Sequence, residues 1–305
     1  MQLKNLFSPF KSLFNIYKVL SVWGKLLLLI TVILIIIVAY KRDKGNKRHE
    51  GFENSQTFAF DTGEGIYDDF YVSIYDYLFF NTLSDDYQVG EIINSTYPND
   101  SSVILDVGCR TGRIVNEFGN KKYNIFGIDH SAQMINKAEE LYPQYKFFLA
   151  DTLKTTMFYP NSFTHILCLH YTIYYVKDKN LFFSNCFRWL RPNCYLIINL
   201  VDRENFNPVF SKNKNQVSKR KHLKFDNFDY ESNFILDKDN DMATFLEKIK
   251  LKNSHKVKRN KHIMYIPNDI TILQIAKDEG FLIDKKIDLM NSGYNNNYLY
   301  VLKKA

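Results

Sequence analysis

The chain has 305 residues, of which 46% are hydrophobic and 16% aromatic, enough core material for one large α/β domain with appendages. Its formal charge of +7 sits in residues 1–50, which hold 9 Lys/Arg against 2 Asp/Glu, while residues 51–305 hold 31 of each sign. A nucleic-acid-binding body is normally basic, and the four cysteines (Cys109, Cys168, Cys186, Cys194) form no C-x-x-C pair, so composition argues against both that class and a thiolate metal site; the thiols read as reduced and mostly buried.

In chain order, Lys4, Lys11, Lys18 and Lys25 recur every seven residues, opposite Phe7, Phe10 and Phe14. On a helix they drift only about 20° per step, so residues 1–18 can form an interfacial amphipathic segment, with coincidence as the alternative. Residues 26–40 (L-L-L-L-I-T-V-I-L-I-I-I-V-A-Y) carry no charge. Extended back to residue 19, they give about 22 residues and roughly 33 Å of helix, and a single transmembrane span over 19–40 is expected. A cleaved signal peptide is the rival. It is disfavoured by the long leading segment, the lack of an A-x-A site and the stop-transfer cluster Lys41-Arg42-Asp43-Lys44. The denser positive cluster follows the span, which places the C-terminal body on the cytoplasmic side. Residues 41–65 are polar, with four glycines, and read as a flexible linker reaching about 25–30 Å.

Residues 66–305 read as one folded domain. Ile66–Phe80 is an aromatic helical stretch with an apolar stripe through Phe70, Tyr71, Ile74 and Leu78, followed by a helix over Asp86–Tyr97. Val103–Arg113 (V-I-L-D-V-G-C-R-T-G-R) is a buried strand, a tight glycine turn and the start of a helix. Gly108 and Gly112 would let a ligand approach the backbone without meeting a Cβ, and helix-end N–H groups would face it. Strands follow at Tyr123–Asp129, Phe147–Asp151, Phe163–His170 and Tyr195–Val201, with helices at Ser131–Leu141 and Asn180–Leu190; Arg191-Pro192-Asn193 is expected to stop the second. This alternation predicts an α/β, doubly wound, mostly parallel seven-stranded sheet with ligands at its carboxyl edge. Asp106, Asp129 and Asp151 end three successive strands there. Asp129 lies 21 residues beyond Gly108, the spacing at which a carboxylate can accept ribose hydroxyls. Helix capping is the alternative for each acid.

A dinucleotide fingerprint fails, because its later glycines would fall on Arg110 and Arg113. The ordered segments D-V-G-C-R-T-G, G-I-D-H-S-A-Q-M-I-N-K-A, F-L-A-D-T-L, F-T-H-I-L-C-L-H-Y and W-L-R-P-N-C-Y-L-I-I-N instead resemble the motifs of class I S-adenosylmethionine-dependent methyltransferases of the type 11 kind, over about residues 66–203. Arg110 stands where that family has the middle glycine, and Asn193-Cys194 replace a Gly-Gly pair. The resemblance implies a Rossmann-like fold and S-adenosylmethionine as cofactor. It places Asp106, Gly108, Arg110 and Gly112 at the methionine part, Asp129 at the ribose, His130 and Met134 at the adenine face, and Asp151 with Thr152 at its amine. Tyr71 and Tyr75 would sit on a helix that closes over the cofactor, or else in the core. Methyl transfer is an in-line displacement that needs mainly alignment. If the acceptor needs a base, His170 beside Tyr171 is the candidate, with a structural histidine as the alternative.

Residues 204–266 interrupt the alternation as a β-rich insert after the fifth strand. Strand-like pieces occur at Phe225–Phe234, Ala243–Leu251 and Lys256–Ile266, and residues 204–262 carry 14 Lys/Arg against 8 Asp/Glu. The insert is placed to form a lid that sets acceptor choice. A helix over 270–279 capped by Gly280 and a last pair of strands, Phe281–Leu289 and Tyr298–Lys303, complete the domain. The expected function is methylation of a small or amphiphilic, lipid-like molecule near a membrane. Two alternatives stay open: an RNA (cap or ribose) methyltransferase, less favoured because Leu169-His170-Tyr171 stands where base-amine enzymes carry an Asn/Asp-Pro-Pro-aromatic turn, and a non-catalytic scaffold. Oligomeric state is not legible.

Overall fold

The computed structural model describes residues 21–26, 29–31, 33, 60–79, 82–206, 220–252, 256–292 and 296–305, in two units, Met1–Phe58 and Ala59–Ala305. In the first unit residues 22–26, 29–31 and 33 are helical. Among the described residues no helix is long and apolar enough to cross a membrane. The expected amphipathic segment over 1–18, and most of the expected span over 19–40, lie outside the described residues.

The second unit begins earlier than its composition suggested. Strand β1 (Asp61–Thr62) pairs in parallel with Asn260 and Lys261, and the 3-10 turn Gly63–Ile66 buries Ile66. The linker expected over 41–65 therefore ends before residue 61. Its polar, glycine-bearing end is taken into the fold by backbone pairing rather than by side-chain burial. Helices α1 (Asp69–Phe79) and α2 (Thr82–Thr96) follow, the first burying Tyr71, Val72, Ile74 and Leu78 as its apolar stripe dictates.

Next come β2 (Val103–Val107), α3 (Arg113–Asn120), β3 (Asn124–Asp129), α4 (Ala132–Leu141), β4 (Lys146–Leu149), β5 (Phe163–Cys168), α5 (Lys179–Trp189) and β6 (Leu190–Val201). Ser131 caps α4 by accepting the Met134 N–H, and Asp178 caps α5 through the Leu181 N–H. The segment Arg191-Pro192-Asn193 lies inside β6 rather than between helix and strand, with Asn193 at φ +61°. The insert supplies β7 (Arg220–Lys224), β8 (Phe228–Asp237), β9 (Met242–Leu251) and β10 (Val257–Tyr265). Helix α6 (Asp269–Asp278) and strands β11 (Phe281–Asp288) and β12 (Asn297–Lys304) close the chain.

The main sheet has seven strands in the order β11-β12-β6-β5-β2-β3-β4; β12 runs antiparallel to both its neighbours and the other pairings are parallel. This is the doubly wound, Rossmann-like arrangement that the sequence predicts. Alternation along its strands loads both faces. Leu105, Val107, Ile166, Leu196, Ile198 and Leu302 enter one core, whereas Ile104, Leu167, Ile197, Leu299 and Val301 enter the other with Val115 and Phe118 of α3. The four strands of the insert form a separate sheet that β1 completes as a fifth strand, in the order β1-β10-β9-β8-β7. Its Tyr230, Phe234, Phe245, Ile249 and Met264 join the first core, so the insert is packed onto the domain as a wall. Cys109, Cys168 and Cys186 are buried free thiols.

Gly112, the cap of α3, has φ +83°, and a Cβ there would lie 2.7 Å from the Phe147 ring and 3.0 Å from the Ala138 methyl. The left-handed backbone and the overpacking together should make Gly112→Ala destabilising by about 2–4 kcal/mol. Urea unfolding measures this, and a change under about 1 kcal/mol would show that the turn relaxes freely.

Candidate active site

The carboxyl ends of β2, β3, β4 and β5 open into a cavity of about 1010 Å³ whose far wall is α1 and β10. Parallel pairing sets this edge: Val107 lies opposite Ile128, and Asp129 opposite Leu149. Asp129 is the centre of the near half. Its Oδ2 accepts the Arg110 N–H at 3.0 Å and its Oδ1 the Ser131 N–H at 2.9 Å, so one carboxylate holds both the glycine turn and the start of α4. The capping and ligand readings of Asp129 thus coexist, since each oxygen keeps a second lone pair. His130, with its Nδ1 3.5 Å from Asp129, and the buried Met134 line the same region. Asp151 and Thr152 line it too; Asp151 is exposed and accepts the Leu153 N–H at 2.9 Å.

The glycines serve the fold more than a ligand. Gly108 lines the cavity at φ +73°, but the space a Cβ would need is filled by the Thr172 side chain at 2.5 Å. Gly112 does not line the cavity; Phe147 and Ala138 fill its space. Asp106 is buried behind the cavity wall rather than on it. Arg110, by contrast, is at the centre. It takes φ +53°, donates from Nη2 to the His170 carbonyl, and its guanidinium lies 5.7 Å from the centroid of the Tyr75 ring. With His170 at φ +49° and Tyr171 at φ +66°, three non-glycine residues adopt the left-handed region around one cavity, the kind of local strain that concentrates at functional sites.

His170 is engaged elsewhere. Its Nε2 pairs with Asp85 Oδ1 at 2.9 Å, and Asp85 Oδ2 takes two further bonds from Arg113. Burial opposes the Asp85 charge, but His170 and Arg113 outweigh it and hold the carboxyl below its usual range. Tyr171 lines the cavity with its ring 4.6 Å from that of Phe206.

Tyr71 and Tyr75 both line the cavity. Tyr71 is fully buried and donates to Glu247 Oε2 at 2.7 Å; burial raises the Tyr75 hydroxyl to about 12. Helix α1 is tied at a second point, where Thr111 Oγ1 of the glycine turn donates to Asp76 at 2.9 Å. Sequence reasoning missed Tyr67, Tyr175, Phe245 and His262, which line the cavity, and Glu247 behind them. Tyr67, Tyr71 and Tyr75 stand four apart, a spacing that could have revealed the first.

Residues 105–198 match the family described as a methyltransferase domain, type 11. Over those residues the chain is similar to a methyltransferase domain, and the fold around them is that of S-adenosylmethionine-dependent methyltransferases. The chain is 29% identical over 143 residues to a phosphoethanolamine N-methyltransferase of Plasmodium falciparum, covering 43% of this chain; it spans about half (51%) of that relative's length. Among solved structures, an S-adenosylmethionine-dependent methyltransferase from Clostridium acetobutylicum superposes with a TM-score of 0.62 at 16% identity, over 77% of this chain and 98% of that one. CalS10 of Micromonospora echinaspora, an amino pentose methyltransferase with S-adenosylmethionine bound, gives 0.57 at 12% identity, over 83% and 100%.

Burial pushes the Asp106 carboxyl up to about 7, against the nearby Arg110 charge and with those of Asp129 and Asp85. A raised folded value means that the folded chain keeps this proton while the unfolded chain releases it, so stability falls as pH rises from about 4 to about 7 and then levels. Asp106→Asn removes the effect. In cofactor-free protein it should gain on the wild type by up to ~4 kcal/mol over that window. Unfolding of both proteins at about pH 5 and about pH 7.5 checks this, and parallel pH responses would refute it.

Proposed function

We propose that this protein transfers the methyl group of S-adenosylmethionine to the amine of a small or amphiphilic molecule. The observation that carries the reading is a single cavity with two chemically different halves. One half has Asp129, Met134 and Asp151 for a nucleoside; the other is walled by the hydroxyphenyl rings of Tyr67, Tyr71, Tyr75 and Tyr175. Carboxylates suit ribose hydroxyls and an adenine amine, the buried Met134 suits the base plane, Arg110 suits a carboxylate, and tyrosine faces favour sulfonium and ammonium groups. The donor set therefore fits S-adenosylmethionine, which supplies an electrophilic methyl group when bound. A cavity of about 1010 Å³ accommodates a cofactor with a small acceptor beside it rather than a polymer. Lys154, Lys177 and Lys261 on its lining add charge for an anionic substituent. The phosphoethanolamine N-methyltransferase of Plasmodium falciparum, by its name, acts on an acceptor with both an amine and an anionic group.

The uncharged stretch over residues 26–40 supports a second part of the proposal, attachment to a bilayer with the domain on its cytoplasmic side. Retention of the full chain in the membrane fraction after alkaline extraction checks that part, and release into the supernatant rejects it.

Calorimetry on the full chain should show S-adenosylmethionine binding that Asp129→Ala weakens by about 10–150-fold, as expected for losing bonds to a charged acceptor. Labelled methyl should then pass to phosphoethanolamine or a related amine. A folded chain that binds no cofactor would leave only the non-catalytic scaffold reading.

A further inference from the structure

The insert sheet holds a second cluster of ionisable groups that the cofactor half does not use. Glu247 on β9 is fully buried and accepts four bonds: Tyr71 Oη at 2.7 Å, Asn260 Nδ2 at 3.1 Å and His262 Nε2 at 2.7 Å on Oε2, and Tyr230 Oη at 2.7 Å on Oε1. Burial works against its charge, but His262 and the two tyrosine hydroxyls outweigh it and hold the carboxyl below the usual range. Glu247 does not itself line the cavity, whereas His262, 4% exposed, does. With Nε2–H donated to the carboxylate, the neutral ring keeps its lone pair on Nδ1, and that nitrogen faces the Tyr175 hydroxyl at 3.4 Å. Tyr67, Tyr71 and Phe245 surround the ring with centroids at 6.4, 6.3 and 5.3 Å.

We infer that His262, oriented by Glu247, is the base that deprotonates the amine acceptor, directly or through the Tyr175 hydroxyl. The inference rests on the amine reading above and identifies the group that makes it work. An alkylamine in neutral water is an ammonium ion without a lone pair. Methylation needs the N–H bond to break, its proton to bond to His262 Nδ1, and the freed pair to form the N–C bond while sulfur keeps the C–S pair. The resulting imidazolium is stabilised by Glu247, and the proton later returns to water. The alternative histidine, His170, also pairs its Nε2 with a carboxylate, Asp85, but that carboxylate is shared with the Arg113 guanidinium, whereas Glu247 has no other cation bonded to it among the described residues. Tyr67, Tyr71, Tyr175 and Tyr230, the other titratable groups on the pair, are held un-ionised mainly by burial. Among the described residues the charge bonded to His262 is thus that of Glu247.

The test uses the full chain with phosphoethanolamine as acceptor. His262→Gln should lower kcat by about 10²–10⁴-fold and abolish the acidic limb of the pH–rate profile, with cofactor affinity unchanged within about twofold. Glu247→Gln, which keeps the hydrogen-bonding shape, should move that limb to lower pH, because the imidazolium loses its carboxylate. Tyr175→Phe, the variant least able to disturb folding, separates direct from relayed transfer: unchanged kcat means direct, a loss of about tenfold or more means relayed. A His262→Gln chain that binds cofactor and turns over within about threefold of wild type, with the acid limb intact, overturns this inference alone. A wild-type chain that binds no S-adenosylmethionine, or binds it and methylates no amine, overturns the proposed function and this inference with it.

Discussion

Two backbone N–H groups, those of Arg110 and Ser131, end on one carboxylate, Asp129, and the near half of the site depends on that arrangement. Parallel pairing of β2 with β3 brings the glycine turn beside the end of the neighbouring strand, where an acid can reach it. Charge-assisted bonds of this kind are worth about 1.5–3 kcal/mol each, enough to offset a non-glycine residue at φ +53°. The same bond turns the Arg110 side chain into the cavity. The missing middle glycine is therefore a change in what the turn presents, with the turn itself intact.

The other half depends on Glu247 in a parallel way. A carboxylate sealed in the insert sheet needs donors, and it takes them from two strands of that sheet and from α1. Helix α1 consequently bonds the insert through Tyr71 and the glycine turn through Asp76. The glycine turn and the insert are thus coupled through one eleven-residue helix.

The succession of strands and helices, the acids at strand ends and the aromatic helix were legible because each is a local pattern: alternation, a charge after an apolar run, an apolar stripe. What a glycine faces is not local. Gly108 and Gly112 did mark places where a Cβ is excluded, but Thr172 and Phe147, distant in the chain, do the excluding. That His170 pairs its Nε2 with Asp85, 85 residues earlier, is likewise invisible at the strand end where the sequence places it. Glu247 and His262 were hidden by a charge count over the insert that ignored which face each residue occupies. Alternation from Phe245 through Glu247 to Ile249, and from His262 to Met264, puts both on the inward face, where an acid and an imidazole without each other would be costly. Most of the first fifty residues lie outside the described residues.

The electrostatics of the cavity narrow what it can hold. Tyrosine faces attract cations, yet Arg110 places a permanent positive charge among those rings, beside Tyr75 and bonded to a carbonyl rather than to an acid. A simple cation would be repelled by the guanidinium, and a simple anion would gain little from the aromatic wall. A molecule that carries both an anionic group for Arg110 and a cationic group for the rings satisfies both. An acceptor that pairs an amine with an anionic group then repeats the same logic towards Lys261 and His262 on the insert. The guanidinium beside Tyr75 thus keeps the aromatic wall from being a plain cation site.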